Sequence, residues 1–357
     1  MQRFRREAIA LFALLAINFL VPPAWAGTAS TAAPATVPTT AAEPAAQEQN
    51  LGAWLMRMQQ ASRQRSYVGT FVVTSSSGNM ASARIWHAWA NGRQIDRVES
   101  LTGTPRSTFQ YEGRVVTFLP QAHVVRTEQR AFIDLFPNLL KSNDAALDAF
   151  YQAQPVGSDR VAGYDATAIL IRPRDALRFG YRVWTENKTG LVVKVQTLDD
   201  EGHVLEQAAF SDLQIDAPVK MQALRRMMDD TVGYRLEKSD LIKTTAQAEG
   251  WTLADPVAGF RPIDCYKRPV ADGGAQASAA HVMQCVFSDG LASVSLFVEP
   301  NDPRLQTQEA RLAIGATQLL TRRQSTPSGD WWVTAVGEVP LRTLEDFVQG
   351  FRRVGTK

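Results

Sequence analysis

Cys265 and Cys285 are the only two thiols in the chain, and they flank a loop containing Gly273-Gly274. Two readings stay open for the pair. In an exported protein the cysteines form a disulfide, which by the loop-entropy model would close about 20 residues and stabilise the fold by roughly 3 kcal/mol. Otherwise they are two buried free thiols, acting as small apolar side chains. A redox role would call for closer spacing of the C-x-x-C kind. The four histidines, His87, His123, His203 and His281, are scattered singly without an H-x-x-x-H pair, so no shared ligand face is expected and no metal. Asp199-Asp200-Glu201 and Asp229-Asp230 sit in polar turn or linker contexts and read as solvated charges rather than a general acid and base. The chain has no nucleophile elbow, phosphate loop or dinucleotide fingerprint. These residues give no support for catalysis or a cofactor. Arg225-Arg226 and Arg322-Arg323 could meet acidic lipid headgroups or an acidic peptide; the alternative is exposed solubilising charge.

The elements that would position any site begin at residues 67–120. Their β-branched and aromatic runs are broken by Ser-Ser-Gly-Asn, Asn-Gly and Glu-Gly, which predicts successive antiparallel strands with tight turns. Within 83–89, one face carries Ala83, Ile85, His87 and Trp89, and the other Arg84, Trp86 and Ala88. Both faces are partly apolar, so something must cover the second. Leu51, Trp54, Leu55 and Met58 form one helical stripe that could lie on the sheet. Further strands are expected at 123–128, 164–171, 181–185, 191–198 and 203–213, with short helices or an apolar lid around 132–140 and another helix at 144–151. Ten or eleven strands make a strongly bent sheet or unclosed barrel holding a helix, whose concave side is a natural apolar pocket. Phe71, Trp86, Trp89, Phe109, Phe118, Phe132, Phe136 and Leu139 are the candidates to line a lipid-sized cavity, against the plainer reading that most are core.

With 357 residues, of which 45% are apolar and 21% charged, the chain fits two ordinary globular domains. Arg3, Arg5 and Arg6, an apolar run over 8–21 and Ala24-Trp25-Ala26 mark residues 1–26 as a signal peptide cleaved between Ala26 and Gly27. Removing those charges and Glu7 takes the formal charge from +2 to 0, a balance that disfavours nucleic acid as a partner. Residues 27–49, rich in Ala, Thr and Pro, are expected as a disordered spacer, 50–217 as the large domain, 218–245 as an interdomain connection and 246–357 as a smaller α+β domain. That last domain should end in a helix over 344–354 with Thr343 as its N-cap. No other run is long enough to cross a membrane, so a soluble periplasmic protein is expected.

The segments YVGTFV, RVESLTGTPRSTF, VVTFLP, YRVWTENKTGLVVKVQTLDDEGHVLEQAAFSDL, Gly259-Phe260, CVFSDGLASVSLFVEP and VTAVGEVPLRTLEDF occur in an order and spacing that resemble the RseB/MucB family. That resemblance covers nearly the whole mature chain. It implies an α+β protein with a large N-terminal domain similar to LolA, an unclosed β-barrel wrapped on a helix, and a smaller C-terminal domain. It also implies a negative regulator of an envelope-stress sigma factor, not an enzyme. Its partner would be the periplasmic segment of an anti-sigma factor of RseA or MucA type, shielded from site-1 proteolysis and released by lipopolysaccharide or another lipid. A homo-oligomer stays open, as does the alternative of a periplasmic lipid or lipoprotein carrier.

Overall fold

The computed structural model describes residues 51–129, 136–137, 147–239, 241–269, 281–303, 306 and 308–354. The expected signal peptide with its Ala26 and Gly27 junction, the spacer, Phe132 and Leu139 lie outside them.

Twelve strands form the larger sheet. They are β1 (Tyr67–Ser75), β2 (Met80–Ala90), β3 (Arg93–Ser100), β4 (Ser107–Tyr111), β5 (Arg114–Leu119), β6 (Val124–Gln129), β7 (Tyr151–Val161), β8 (Tyr164–Pro173), β9 (Gly180–Glu186), β10 (Val192–Leu198), β11 (Val204–Ile215) and β12 (Arg235–Ser239). Their order is β12-β6-β5-β4-β3-β2-β1-β11-β10-β9-β8-β7, so among the described residues β12 and β7 are the edges and the barrel is unclosed. It curls far enough for the Tyr164 hydroxyl of β8 to donate to the Leu213 carbonyl of β11 at 3.2 Å. Helix α1 (Leu51–Gln64) buries Leu51, Leu55, Met58 and Ala61, and a short helix, α2 (Leu147–Phe150), buries Leu147. The longer helix, α1, lies on the face that carries Tyr67, Phe71, Ala83 and Ile85.

A buried ion pair fixes that helix to the sheet. His87 Nδ1 meets Asp96 Oδ1 at 2.5 Å while Nε2 meets the Arg63 carbonyl at 3.1 Å. A carbonyl can only accept, so Nε2 carries a proton. Burial opposes charge on the ring, yet the Asp96 carboxylate and the carbonyl together raise its pKa above the ordinary value.

The second face is covered by a different helix from the one the sequence suggests. Within the expected connection, α3 (Met221–Asp229) buries Leu224 and Met228 against Ala88, Ile95, Phe109, Phe118 and Val125. Its Arg225 and Arg226 face solvent, Arg225 over the Tyr111 ring at 4.7 Å. β12 follows it and pairs with β6 in parallel.

The smaller sheet has the order β13-β15-β16-β17-β20-β19-β18, from β13 (Ile242–Thr244), β15 (Arg261–Pro269), β16 (His281–Ser288), β17 (Ser293–Pro300), β18 (Ala310–Ile314), β19 (Thr317–Thr326) and β20 (Gly329–Gly337). Cys265 and Cys285 face each other across β15 and β16 and form a disulfide. The final helix, α4 (Leu341–Gly350), starts three residues earlier than expected, with Pro340 as its N-cap, and passes into β21 (Phe351–Arg353), which pairs with β14 (Trp251–Leu253). Leu344, Phe347, Val348 and Phe351 point into the core, as the periodicity predicts.

Candidate functional site

The two sheets meet at one buried cation. Arg178 lies in the β8–β9 connection, and its side chain is 0% exposed. Its Nε donates to Asp289 Oδ2 at 2.6 Å, its Nη1 to Asp175, and its Nη2 to the Ala258 carbonyl. The rings of Phe150 and Phe260, one from each side of the junction, lie 4.4 and 5.1 Å from the guanidinium. Burial opposes the charge, but the Asp289 and Asp175 carboxylates, with Tyr151, together outweigh it and the pKa is raised.

Asp289 occupies the β16–β17 turn, whose residues 288–292 are all buried. A hairpin tip is ordinarily solvated; here it is inserted into the neighbouring unit. Asp289 Oδ1 accepts the Leu291 and Ala292 amides, holding the turn, while Oδ2 accepts the Tyr151 hydroxyl at 2.8 Å as well as Arg178. Burial and that carboxylate push the Tyr151 hydroxyl well up, so it stays a donor. Beside the charges, each unit gives the other one leucine. Leu291 packs among Leu51, Leu55, Tyr151 and Ile171, and Leu177 packs on the smaller unit's core. Gly259 has φ +82, and a Cβ there would lie 2.9 Å from the Phe150 ring and against Arg178. Only glycine leaves room for the guanidinium to reach the Ala258 carbonyl.

Sequence reasoning missed Arg178, one of 38 cationic residues, although two stretches that carried the family resemblance, Gly259-Phe260 and Ser288-Asp289-Gly290, converge on it. Thr343, expected as a helix cap, instead donates its hydroxyl to the Leu177 carbonyl at 2.8 Å and ties α4 to the same loop. The aromatic residues proposed to line one cavity divide between two faces. Phe71 and Phe136 lie 5.3 Å apart on the α1 face, both against Phe210. Phe109 and Phe118 are core on the opposite face beneath α3, and Trp86 lies there under Arg97 at 4.6 Å. Strand alternation, which gives the face but not what covers it, could not separate them. Trp89 is half-buried on β2, with its amide on the Ser66 hydroxyl.

Among the described residues, no group of three His, Cys, Asp or Glu side chains could hold a metal ion, and no helix is long and apolar enough to cross a membrane. Asp199 is used in turn formation, accepting the Glu201 and His203 amides. Asp229 pairs with Arg114, and Arg323 with Asp330.

Comparison with known proteins matches both units. The MucB/RseB N-terminal domain family covers residues 50–228 and the MucB/RseB C-terminal domain family residues 245–352. The sigma factor AlgU regulatory protein MucB of Pseudomonas aeruginosa is 31% identical over 308 residues, 85% of this chain and 91% of MucB. The sigma-E factor regulatory protein RseB of Escherichia coli K12 is 25% identical over 84% of this chain and 90% of RseB. The crystal structure of MucB in complex with MucA(peri) aligns with TM-score 0.65 and 26% identity, over 86% of this chain and 100% of that one. A second structure, of the Pseudomonas aeruginosa MucA/MucB complex, gives the same TM-score at 27% identity, over 85% and 99% of the two chains.

Proposed function

The chain belongs to the MucB/RseB family of regulatory binding proteins, and we propose that, exported to the periplasm after loss of residues 1–26, it binds the periplasmic segment of a membrane anti-sigma factor. Binding shields that segment from site-1 proteolysis and so restrains the envelope-stress sigma factor. The observation that carries this reading is that likeness to MucB, whose solved complex contains MucA, runs through both sheets together. The Arg178 junction holds those two sheets in one arrangement. Lipopolysaccharide or a similar lipid is the release signal. Its acyl chains would enter at the Phe71, Phe136 and Phe210 cluster on the α1 face, where the larger sheet curls. If lipid and anti-sigma segment favour different arrangements of the two units, each weakens the other equally, and a coupling of about 3 kcal/mol gives roughly 150-fold.

A protection assay tests this reading. The anti-sigma segment is incubated with its site-1 protease, with and without this protein, and lipopolysaccharide is then added. The segment is expected to survive with the protein and to be cut again when lipid is present. Unimpeded cutting in all tubes, together with tight lipid uptake, would favour the second reading, a lipid or lipoprotein carrier, which the same aromatic cluster supports.

A further inference from the structure

A second contact joins the two units, and it is acidic on both sides. The β18–β19 turn at Gly315-Ala316 comes down on β11 and the end of β1. A Cβ on Gly315, at φ +59, would lie 2.7 Å from Glu206 Oε2 and 2.9 Å from Ser75 Cβ. Ala316 is 0% exposed, and its amide donates to the Glu206 carboxyl. Glu338, the residue after β20 in the smaller unit, is the charged group whose field acts on Glu206. The other neighbours are Ser75 and Thr197, paired with Glu206 on β1 and β10. The contact therefore seats one carboxyl under a hairpin, within the field of a second carboxyl.

We propose that Glu206 and Glu338 form a proton-operated joint between the two units: with one proton on the pair the β18–β19 hairpin seats on β11, and loss of that proton sets two carboxylates against each other and loosens the seat. Burial, then Glu338, raises the Glu206 pKa from 4.5 to about 7 in the seated state, against the Ala316 amide, which lowers it. The sign follows from linkage. A carboxyl that holds its proton more tightly when seated makes seating stronger as pH falls from about 7 towards 4.5, and it makes no further contribution above 7. The full change is on the order of a hundredfold in the seating equilibrium, close to tenfold per pH unit. At the Arg178 junction the Asp289 and Asp175 carboxylates are paired with a guanidinium, so the hairpin would loosen while the main contact holds.

Native-state hydrogen exchange of the full mature protein between pH 5 and pH 8.5, corrected for the intrinsic pH dependence of exchange, reads this seating at the amides of residues 314–317. In the wild type, protection there should rise close to tenfold per unit as pH falls below 7, while the amides of 289–292 stay level. Glu206→Gln, nearly the same shape and unable to ionise, should be protected and flat. Glu338→Gln should move the onset to lower pH. His87, whose pKa is raised on the α1 face, is intact in Glu206→Gln, so a slope that survives in that variant would overturn the joint. So would a flat wild type. A direct carbon-13 titration of the Glu206 carboxyl guards against misfolded variants: a midpoint near 4.5 would overturn the proposal, and one near 7 supports it.

Discussion

Replacing Arg178 with methionine is expected to cost about 3–5 kcal/mol, because it leaves the Asp289 carboxylate buried and unpaired. The Asp289 side chain is 0% exposed, and the Tyr151 hydroxyl alone would remain at Oδ2. In a protein of this size the loss corresponds to a fall in Tm of about 10 °C. Because Arg178 bridges the two sheets, the thermal transition should also separate into two, the smaller unit no longer unfolding with the larger. Arg178→Met combined with Asp289→Asn should recover part of the loss, since the orphaned charge is gone. The exposed Arg65 and Asp216 pair is the control: its side chains are 37% and 63% exposed, so Asp216→Asn should change stability by only about 0–1 kcal/mol. Differential scanning calorimetry of the four proteins checks this. Equal loss from Arg178→Met and Asp216→Asn would show that the junction's charge is unimportant.

The second large effect belongs to the disulfide. Cys265 and Cys285 are separated by 20 residues in the chain and sit in the smaller unit's core with Phe260, Met283 and Leu296. Closing a loop of that length restricts the unfolded chain, and its loss should cost the smaller unit roughly 3 kcal/mol. Denaturant unfolding followed by the Trp251, Trp331 and Trp332 fluorescence should therefore move to clearly lower denaturant on reduction. In Arg178→Met, where the two units unfold separately, the larger unit's transition should hold its place on reduction, since Cys265 and Cys285 are the only cysteines in the chain. An unchanged midpoint in the reduced protein would contradict the assignment.

What the sequence showed of this fold follows from what each element uses. Strands with one face on α1 alternate strongly enough to be read, as in Ala83, Ile85 and His87. β7 does not: residues 152–160 are almost all exposed and include Pro155 and Gly157, with a register shift between them. An edge strand pairs on one side only and can carry a proline, so its hydrogen bonding leaves no hydrophobic pattern. α3 was hidden for a related reason, since only Leu224 and Met228 are buried among exposed charges. The Arg178 site was illegible because its partners come from the β8–β9 loop, the residues before β15 and the β16–β17 turn. No local spacing records that convergence. Even so, Ser288-Asp289-Gly290 has the residue types of a tight turn; no local pattern shows that it ends inside the other unit.

The proposed function requires this chain to hold an anti-sigma segment that lipid can displace. Calorimetric titration of the mature protein with the periplasmic segment of its own organism's anti-sigma factor, with and without lipopolysaccharide, tests that most directly. Micromolar or tighter binding, abolished by lipid, is the predicted result. Absence of binding in both conditions would contradict it.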